Sequence, residues 1–439
     1  MKLASLVVPL GIAASTFAQT APAPAAAPTL FSPASEIDSA LPHWIRFDGE
    51  FRTRFEGYSG GGYKPDASDA YALTRLKLDL TIKPTAWMKF FGEVYDARAI
   101  AKDPALPPYQ NIWDLRQAFV EFGDSEKRMF DLRVGRQEIN LGDQRLVGVS
   151  AWTNTERTFD AVRGGIRYKG YRLDLISASV VNVVDGAWDH HLQGNNLHGL
   201  YGGIEKLVPG ATIEPYIFWR VQPRVKNEAG VIANVDEKVP GFRWVGKLPL
   251  GFDYGAEMVK EFGSLGSDRI HAWAGHWVVG NTLKSAWSSP RGYLEFNHAS
   301  GDRNAKDGTR GTFDQLYPSG HDKYGLSDQI GWRNMNDLRA GLETRPLKKL
   351  GVNFEYNDWY LASRFDAMYN SSGTALFRSS TGAAGSHIGQ ELDVIASLTI
   401  FKPLTAQAGF GHIFPGEFLK FVTPGRAYNF PYVMFTYKF

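Results

Sequence analysis

The sequence repeatedly alternates between apolar and charged residues with a period of two. The clearest such segments are residues 45–56, 72–83, 160–169 and 337–345. In the first of them, Phe47, Phe51 and Phe55 share one parity, and Arg52 and Arg54 share the other. Successive side chains of a β-strand point to opposite faces, so this pattern predicts strands with one apolar and one charged face. After the N-terminus, no segment approaches the roughly 20 consecutive apolar residues of a membrane-spanning helix.

The connections between these segments alternate between short and long. Short turns are predicted near residues 83–85, 123–125, 169–170, 208–210, 248–250, 281–282, 345–347 and 402–403. Longer polar loops are predicted around 58–69, 99–112, 138–157, 183–195, 223–238, 263–268, 300–335, 361–387 and 415–429. Bacterial outer-membrane barrels have this asymmetry, with tight periplasmic turns and extended extracellular loops. The pattern therefore predicts an all-β protein, a transmembrane antiparallel up-and-down β-barrel of about 18 strands, with 16 as the alternative. An even strand number places both termini in the periplasm.

The two ends of the chain support export to the outer membrane. Residues 1–18 read as a signal peptide, with Lys2, the apolar segment 3–14 and small residues before Gln19. Residues 19–42 form an Ala/Pro-rich periplasmic segment, and the barrel is expected over residues 43–439. The chain ends in an alternating strand at Phe439, which is the kind of signal that the outer-membrane assembly machinery reads. Outer-membrane lipid and that machinery are therefore the predicted partners.

The composition argues against several other classes of protein. The 48 Lys and Arg residues nearly balance 46 Asp and Glu, so no global field favours a nucleic-acid partner. The absence of cysteine removes disulfides and thiolate metal sites. No nucleophile elbow or Ser–His pair indicates an outer-membrane enzyme, which remains the minor alternative. The sequence predicts no catalytic residue, cofactor or metal site.

The lumen is the predicted functional site, because charged side chains of the inward parity line it. The predicted pore-lining residues are Arg46, Arg52, Arg54, Arg75, Lys77, Glu121, Asp131, Arg133, Arg163, Arg167, Arg339 and Glu343. Arginine binds carboxylates and phosphates in a bidentate way, and rings of Arg and Lys line anion pores. The alternative is that each arginine only pairs with an acidic residue across the wall.

One region resembles a known family. Residues 132–137, 141–145, 152–154 and 157–160, together with the opening strand from Phe47 to Phe55, are similar to the alginate export porin family. The resemblance implies an 18-stranded monomeric barrel with an arginine-rich conduit for an acidic polysaccharide. By match to the motif, Arg133 and Arg163 are the implied conduit arginines, and Arg136 has the outward parity of a loop anchor.

The sequence thus predicts an outer-membrane porin for a small or polymeric solute, either an anionic sugar or an acidic polysaccharide. A general or sugar-uptake diffusion porin with little anion selectivity is the main alternative. The turn at residues 402–404 is too short to plug the lumen, so the long loop 300–335 is the predicted constriction.

Overall fold

The computed structural model describes residues 33–124 and 129–439, and within them 18 long strands form one barrel. The strands are β1 (Ile45–Ser59), β2 (Ser68–Thr85), β3 (Met88–Ile100), β4 (Asn111–Gly123), β5 (Phe130–Gln137), β6 (Phe159–Tyr168), β7 (Tyr171–Asn182), β8 (His190–Ile204), β9 (Ala211–Lys226), β10 (Ile232–Lys247), β11 (Phe252–Leu265), β12 (Asp268–Thr282), β13 (Arg291–Ala299), β14 (Met335–Leu347), β15 (Leu350–Tyr360), β16 (His387–Phe401), β17 (Leu404–Pro415) and β18 (Tyr428–Lys438). Each strand pairs antiparallel with the next, which confirms the predicted fold class and the count of 18.

The barrel closes where β1 pairs with β18. Phe51 lies opposite Tyr437, and Phe55 lies opposite Val433. Beyond the last ladder position, Gly49 and Phe439 exchange two backbone hydrogen bonds of 2.8 and 2.9 Å. The ring of Phe439 covers Gly49, where a side chain would collide with it. The last residue of the chain therefore completes the seam, and the sheet has no free edge.

The predicted alternation sorts the side chains between lipid and lumen. Phe51 and Phe55 are exposed on the outer surface, whereas Arg52 and Arg54 are buried inside the barrel. The same division holds across the wall because cross-strand partners share a face. The outer surface is apolar and aromatic, and the inner surface carries most of the buried charged side chains.

Short connections lie at one end of the barrel, and every connection longer than eight residues lies at the other. The turn side, which also carries both ends of the barrel sequence, has connections of two to eight residues. The loop side has connections at 60–67, 101–110, 138–158, 183–189, 227–231, 266–267, 300–334, 361–386 and 416–427. This confirms the predicted asymmetry. The predicted loops 223–238 and 263–268 were too long, because β9 to β12 continue as polar strands beyond the apolar zone.

A band of polar side chains surrounds the outer surface near the loop side. Its members bridge neighbouring strands through the pairs Arg136–Asp160 (2.8 Å), Ser177–His198 (3.0 Å), His298–Asn336 (2.7 Å), Asp358–His387 (3.0 Å) and His412–Asn429 (2.6 Å). Polar residues are costly on a lipid-facing strand at mid-membrane and much less so at the interface. The band therefore marks the boundary of the apolar zone on the loop side. The Ser177–His198 contact corrects the expectation that no serine and histidine lie together.

Smaller elements decorate the barrel. Helix α1 (Pro33–Ala40) precedes β1, and helix α2 (Glu417–Val422) lies in the last loop. A two-residue strand at Thr309–Arg310 and a hairpin at Ala367–Tyr369 and Ala375–Arg378 lie in the longest loops, and single 3-10 turns occur at Gly61–Tyr63 and Pro249–Gly251. Of the helices in the described ranges, none has the length and apolar character needed to cross a membrane. The predicted signal peptide, residues 1–18, lies outside the described residues.

Candidate functional site

Two long loops fold into the barrel and meet inside it. We call residues 138–158 the first loop and residues 300–334 the second loop. Tyr317 of the second loop donates its backbone N–H to Leu146 of the first at 2.8 Å, and it accepts one from Gly148 at 2.9 Å. Ser319 donates to the carbonyl of Gln144 at 2.9 Å. Backbone pairing therefore makes the two loops one structural unit.

Apolar side chains of both loops pack together in the barrel interior. Ile139 and Val147 of the first loop are at most 1 % exposed, and Phe313, Leu326 and Trp332 of the second loop are fully buried. These residues belong to one apolar cluster. An apolar core in the lumen narrows the space left for water on the loop side. The sequence predicted loop 300–335 as the constriction, and the structure places apolar side chains of the first loop beside it.

Arginines of β1 hold the backbone of the first loop. Arg52 donates to the carbonyl of Ala151 at 2.8 Å and to that of Trp152 at 3.2 Å. Arg54 donates to the same Trp152 carbonyl at 2.6 Å, and its guanidinium lies 3.7 Å from the centre of the indole. Both arginines are at most 5 % exposed. They are inward, as predicted, but the loop covers them.

Three cations of the wall converge on Glu156 of the first loop. Arg75 lies 2.7 Å from its carboxylate, and Lys77 and Arg116 each lie 2.6 Å from it. Burial alone would raise the pKa of Glu156, but the three cations hold it well below its usual range. The carboxylate stays ionised and ties the loop to β2 and β4.

Arg339 of β14 plays a similar part for the second loop. It donates to the backbone carbonyls of Asp322 and Lys323, both at 3.1 Å, and forms an ion pair with Glu355. On the neighbouring wall, the N–H of Ser327 donates to Glu391 at 2.9 Å. The second loop is thus bound to β14 and β16.

A different set of cations faces water on the turn side of the loops. We call it the basic strip, and it consists of Lys89, Arg133, Arg163, Arg167, Arg172 and Arg243. These side chains are between 19 and 34 % exposed. They follow one another around the inner wall from β3 to β10. Unlike Arg52 and Arg54, they are partly exposed to the water of the lumen.

The basic strip carries more positive than negative charge. Its six cations share four carboxylates, those of Glu121, Asp131, Asp174 and Glu214. Asp174 is approached by three arginines, at 3.1 to 3.3 Å. Glu214 receives Arg172 at 3.0 Å and Arg243 at 2.6 Å. Each carboxylate orients the guanidiniums. The formal charges of these ten residues sum to +2, and Asp143 of the first loop places a fifth carboxylate near Arg243.

A polar recess of about 220 Å³ opens at the loop end of the strip. Its lining consists of Asn140, Leu141, Gly142, Arg163, Arg172, Asp174, Tyr201, Glu214 and Arg243. The first loop closes the recess at Gly142, which packs against Tyr201 and Arg243. In the part of the chain that the structure describes, no three His, Asp or Glu side chains are grouped to hold a metal ion. The lining of the recess includes guanidinium and amide groups that can donate hydrogen bonds.

The predicted pore-lining residues fall into three groups. Arg133, Arg163 and Arg167 belong to the basic strip, and Glu121 and Asp131 are its carboxylates.

A second group, Arg52, Arg54, Arg75, Lys77 and Arg339, holds the loops. The third group lies apart from both. Arg46 is 43 % exposed near Asp38 of α1, and Glu343 pairs with Arg291 at 3.2 Å. Contact of any of them with solute stays a prediction. Arg136 pairs outward with Asp160 and donates to the carbonyl of Asp189 at 3.0 Å, so it anchors the loop 183–189.

The predicted pore-lining set omitted Lys89, Arg172 and Arg243 of the strip. Arg243 lies between the outward Phe242 and Trp244, so its inward parity was visible in the sequence. Lys89 next to Phe90 gives the same signal.

The sequence also identifies the protein family of the chain. The sequence profile of the family described as Alginate export matches residues 43–431, nearly the whole barrel. The chain belongs to the alginate export family. This confirms the resemblance found in the sequence, and the barrel is an outer-membrane porin of that family.

Solved structures share the architecture at low sequence identity. OccK3 (OpdO) of Pseudomonas aeruginosa superposes with a TM-score of 0.61 at 10 % identity, over 91 % of this chain and 97 % of that one. OpdK of the same organism, crystallised with vanillate, gives 0.61 at 10 % identity over 90 and 98 %. OccAB4 of Acinetobacter baumannii gives 0.57 at 11 % identity over 90 and 98 %. These likenesses show the barrel fold. Comparison with curated protein sequences gives no match.

Proposed function

We propose that this porin passes a small acidic solute, such as a sugar acid or a short acidic oligosaccharide, along its arginine-rich lumen. The observation that carries the proposal is the basic strip, with six water-facing cations and four carboxylates. Rings of Arg and Lys raise the local concentration of an anion and offer it successive weak sites. Transport without catalysis is the proposed activity.

The two inward loops favour a small solute over a long polymer. They join through backbone pairing at Tyr317 and fill the loop side of the lumen with apolar side chains. A long polymer could cross only if both loops left the lumen and stayed out until the whole polymer had passed. A small solute needs only the space beside them.

The proposed orientation places the turns and both termini in the periplasm and the long loops outside the cell. The asymmetry of the connections supports it, because bacterial barrels carry their long loops externally. Under this orientation the basic strip faces the periplasmic half of the lumen. The C-terminal strand ending at Phe439 is the proposed contact for the assembly machinery.

Reversal potentials in a salt gradient across a planar bilayer test the proposal. The wild-type channel should prefer chloride over potassium. The triple variant Arg133→Gln, Arg163→Gln, Arg167→Gln should lower the anion-to-cation permeability ratio by at least roughly threefold, since one unit charge several Å from the path contributes on the order of RT in water.

A matched variant removes three exposed loop-side cations instead, by Arg224→Gln, Arg303→Gln and Arg426→Gln. It should keep the wild-type ratio. Equal ratios in wild type and the strip variant would refute anion selection by the strip.

A diffusion porin with little selectivity is the second candidate. It is favoured by the pairing of strip arginines with wall carboxylates, such as Arg163 with Asp174 at 3.1 Å. A reversal potential near zero in the wild type would establish that function.

A further inference from the structure

The outer wall of β5 to β9 contains an apolar groove of about 600 Å³. Leu132, Leu175, Leu200 and Ile217 line it, and each is about 40 % exposed on the lipid-facing surface. These four residues belong to one cross-strand row, in which Gly164 occupies the position between Leu132 and Leu175. The groove exists where that row lacks one side chain.

The space that a side chain at position 164 would occupy is empty. A Cβ atom built on it would meet only the carbonyl oxygen of Asp131, at 4.0 Å. Its backbone therefore has room for a larger residue, and packing inside the sheet does not require glycine here. The lumen-facing neighbour Gly165 differs, because a Cβ there would collide with the Asp131 carboxylate.

The loop-side end of the groove is polar, and one lysine lies on the same cross-strand row. The next cross-strand row contains Ser177, His198, Trp219 and Lys238. Ser177 Oγ lies 3.0 Å from His198 Nδ1, so Nε2 is the nitrogen through which His198 would donate to an incoming group. Lys238 Nζ lies 2.5 Å from Asp236, and an ammonium has three donors, so this ion pair does not exhaust it.

We propose that this groove binds one phosphate-bearing lipid of the outer leaflet, with an acyl chain beside Gly164 and the phosphate at His198 and Lys238. The apolar row lies deeper in the membrane than the polar row, which matches the order of chain and headgroup in a lipid. Attraction inside the apolar zone comes from close packing, because lipid tails are as apolar as leucine. A phosphate at the polar row would receive charge-assisted hydrogen bonds. The site lies outside the lumen and does not depend on the proposed solute.

Native mass spectrometry of the folded, delipidated protein tests the proposal. The probes are dipalmitoyl phosphatidylglycerol and the diacylglycerol with the same chains, which lacks the phosphate. Wild type should retain one phosphatidylglycerol and much less diacylglycerol. Gly164→Leu should weaken phosphatidylglycerol retention by about tenfold, since about ten lost atom contacts carry that much dispersion energy.

The control for the groove is Gly92→Leu, because Gly92 also faces lipid with nothing near its Cβ position but lies on β3. It should bind phosphatidylglycerol as wild type does. The double variant His198→Gln, Lys238→Gln should lose the preference for phosphatidylglycerol over diacylglycerol. Wild-type retention in Gly164→Leu, or equal retention of both probes by wild type, would overturn the assignment. A difference in electrophoretic mobility between unheated and boiled samples confirms that each variant is folded.

Discussion

The indole of Trp152 and the imidazole of His321 lie face to face, with ring centres 3.7 Å apart and planes 8° apart. Trp152 belongs to the first loop and His321 to the second, so one stacked pair joins them. The Arg54 guanidinium lies 3.7 Å from the same indole, which links the stack to β1. The closed position of both loops therefore depends on a single tryptophan side chain as well as on backbone pairing.

Removing that side chain should open the lumen. Trp152→Ala loses the stack on His321 and the contact with Arg54, together worth about 1–2 kcal/mol. The loop-open population should rise roughly tenfold, and the mean single-channel conductance should increase. Trp287→Ala, at an 84 % exposed turn-side position, should leave the conductance unchanged. Equal conductance in wild type and Trp152→Ala would show that the stack does not limit the pore.

Neutralising Glu156 should free the first loop from the wall. Glu156→Gln leaves Arg75, Lys77 and Arg116 facing an uncharged group in a buried site, and breaking a buried ion pair typically costs about 3–5 kcal/mol. We expect faster protease cleavage within residues 138–158, measured by limited proteolysis of the folded barrel. Glu138→Gln removes a carboxylate that is 23 % exposed and should have a smaller effect. Identical cleavage rates in the two variants would argue against this role of Glu156.

The second loop should respond to pH through Asp322. Partial burial, followed by repulsion from Glu355, raises the pKa of Asp322 to about 7, although Arg339 opposes the shift and the side chain is 36 % exposed. The closed loop then holds a proton that an open loop, with the ordinary value of 3.8, releases. Closure should therefore weaken as pH rises from about 4 to 7 and stay level above that.

Single-channel recordings in steps between about pH 4 and pH 8 measure this dependence. The open probability should rise with pH in the wild type, and Asp322→Asn should abolish the step, because the amide carries no titratable proton. A step of the same size in Asp322→Asn would assign the pH response to another group.

The barrel itself could be predicted from the sequence because its physics is local. Phe51 and Phe55 face lipid while Arg52 and Arg54 face inward, and a period of two decides this without knowledge of any distant residue. The turn positions and the strand count follow from the same repetition.

The inward path of the loops could not be predicted, because it depends on contacts between residues far apart in sequence. Tyr317 pairs with Leu146, and Glu156 pairs with Arg75. The alternation with a period of two carries no information about contacts over such long sequence separations. A signal was nevertheless present. Ile139, Val147 and Phe313 are apolar side chains in segments that would otherwise be solvated loops.

The terminal Phe439 should matter both for the stability of the barrel and for its assembly. Its ring covers Gly49, and its backbone closes the last pair of the β1–β18 seam. Phe439→Ala exposes that corner and loses roughly 1–2 kcal/mol of apolar contact. Refolding into lipid vesicles, followed by heat-modified gel mobility, should show a lower unfolding temperature than wild type. Phe421→Ala, at a 64 % exposed position of α2, is the matched control and should behave as wild type.

If the assembly machinery also reads Phe439, the folded yield of Phe439→Ala in cells should fall further than its stability in vesicles explains. If the folded yield in cells falls only as far as the stability in vesicles predicts, Phe439 acts through the β1–β18 seam alone.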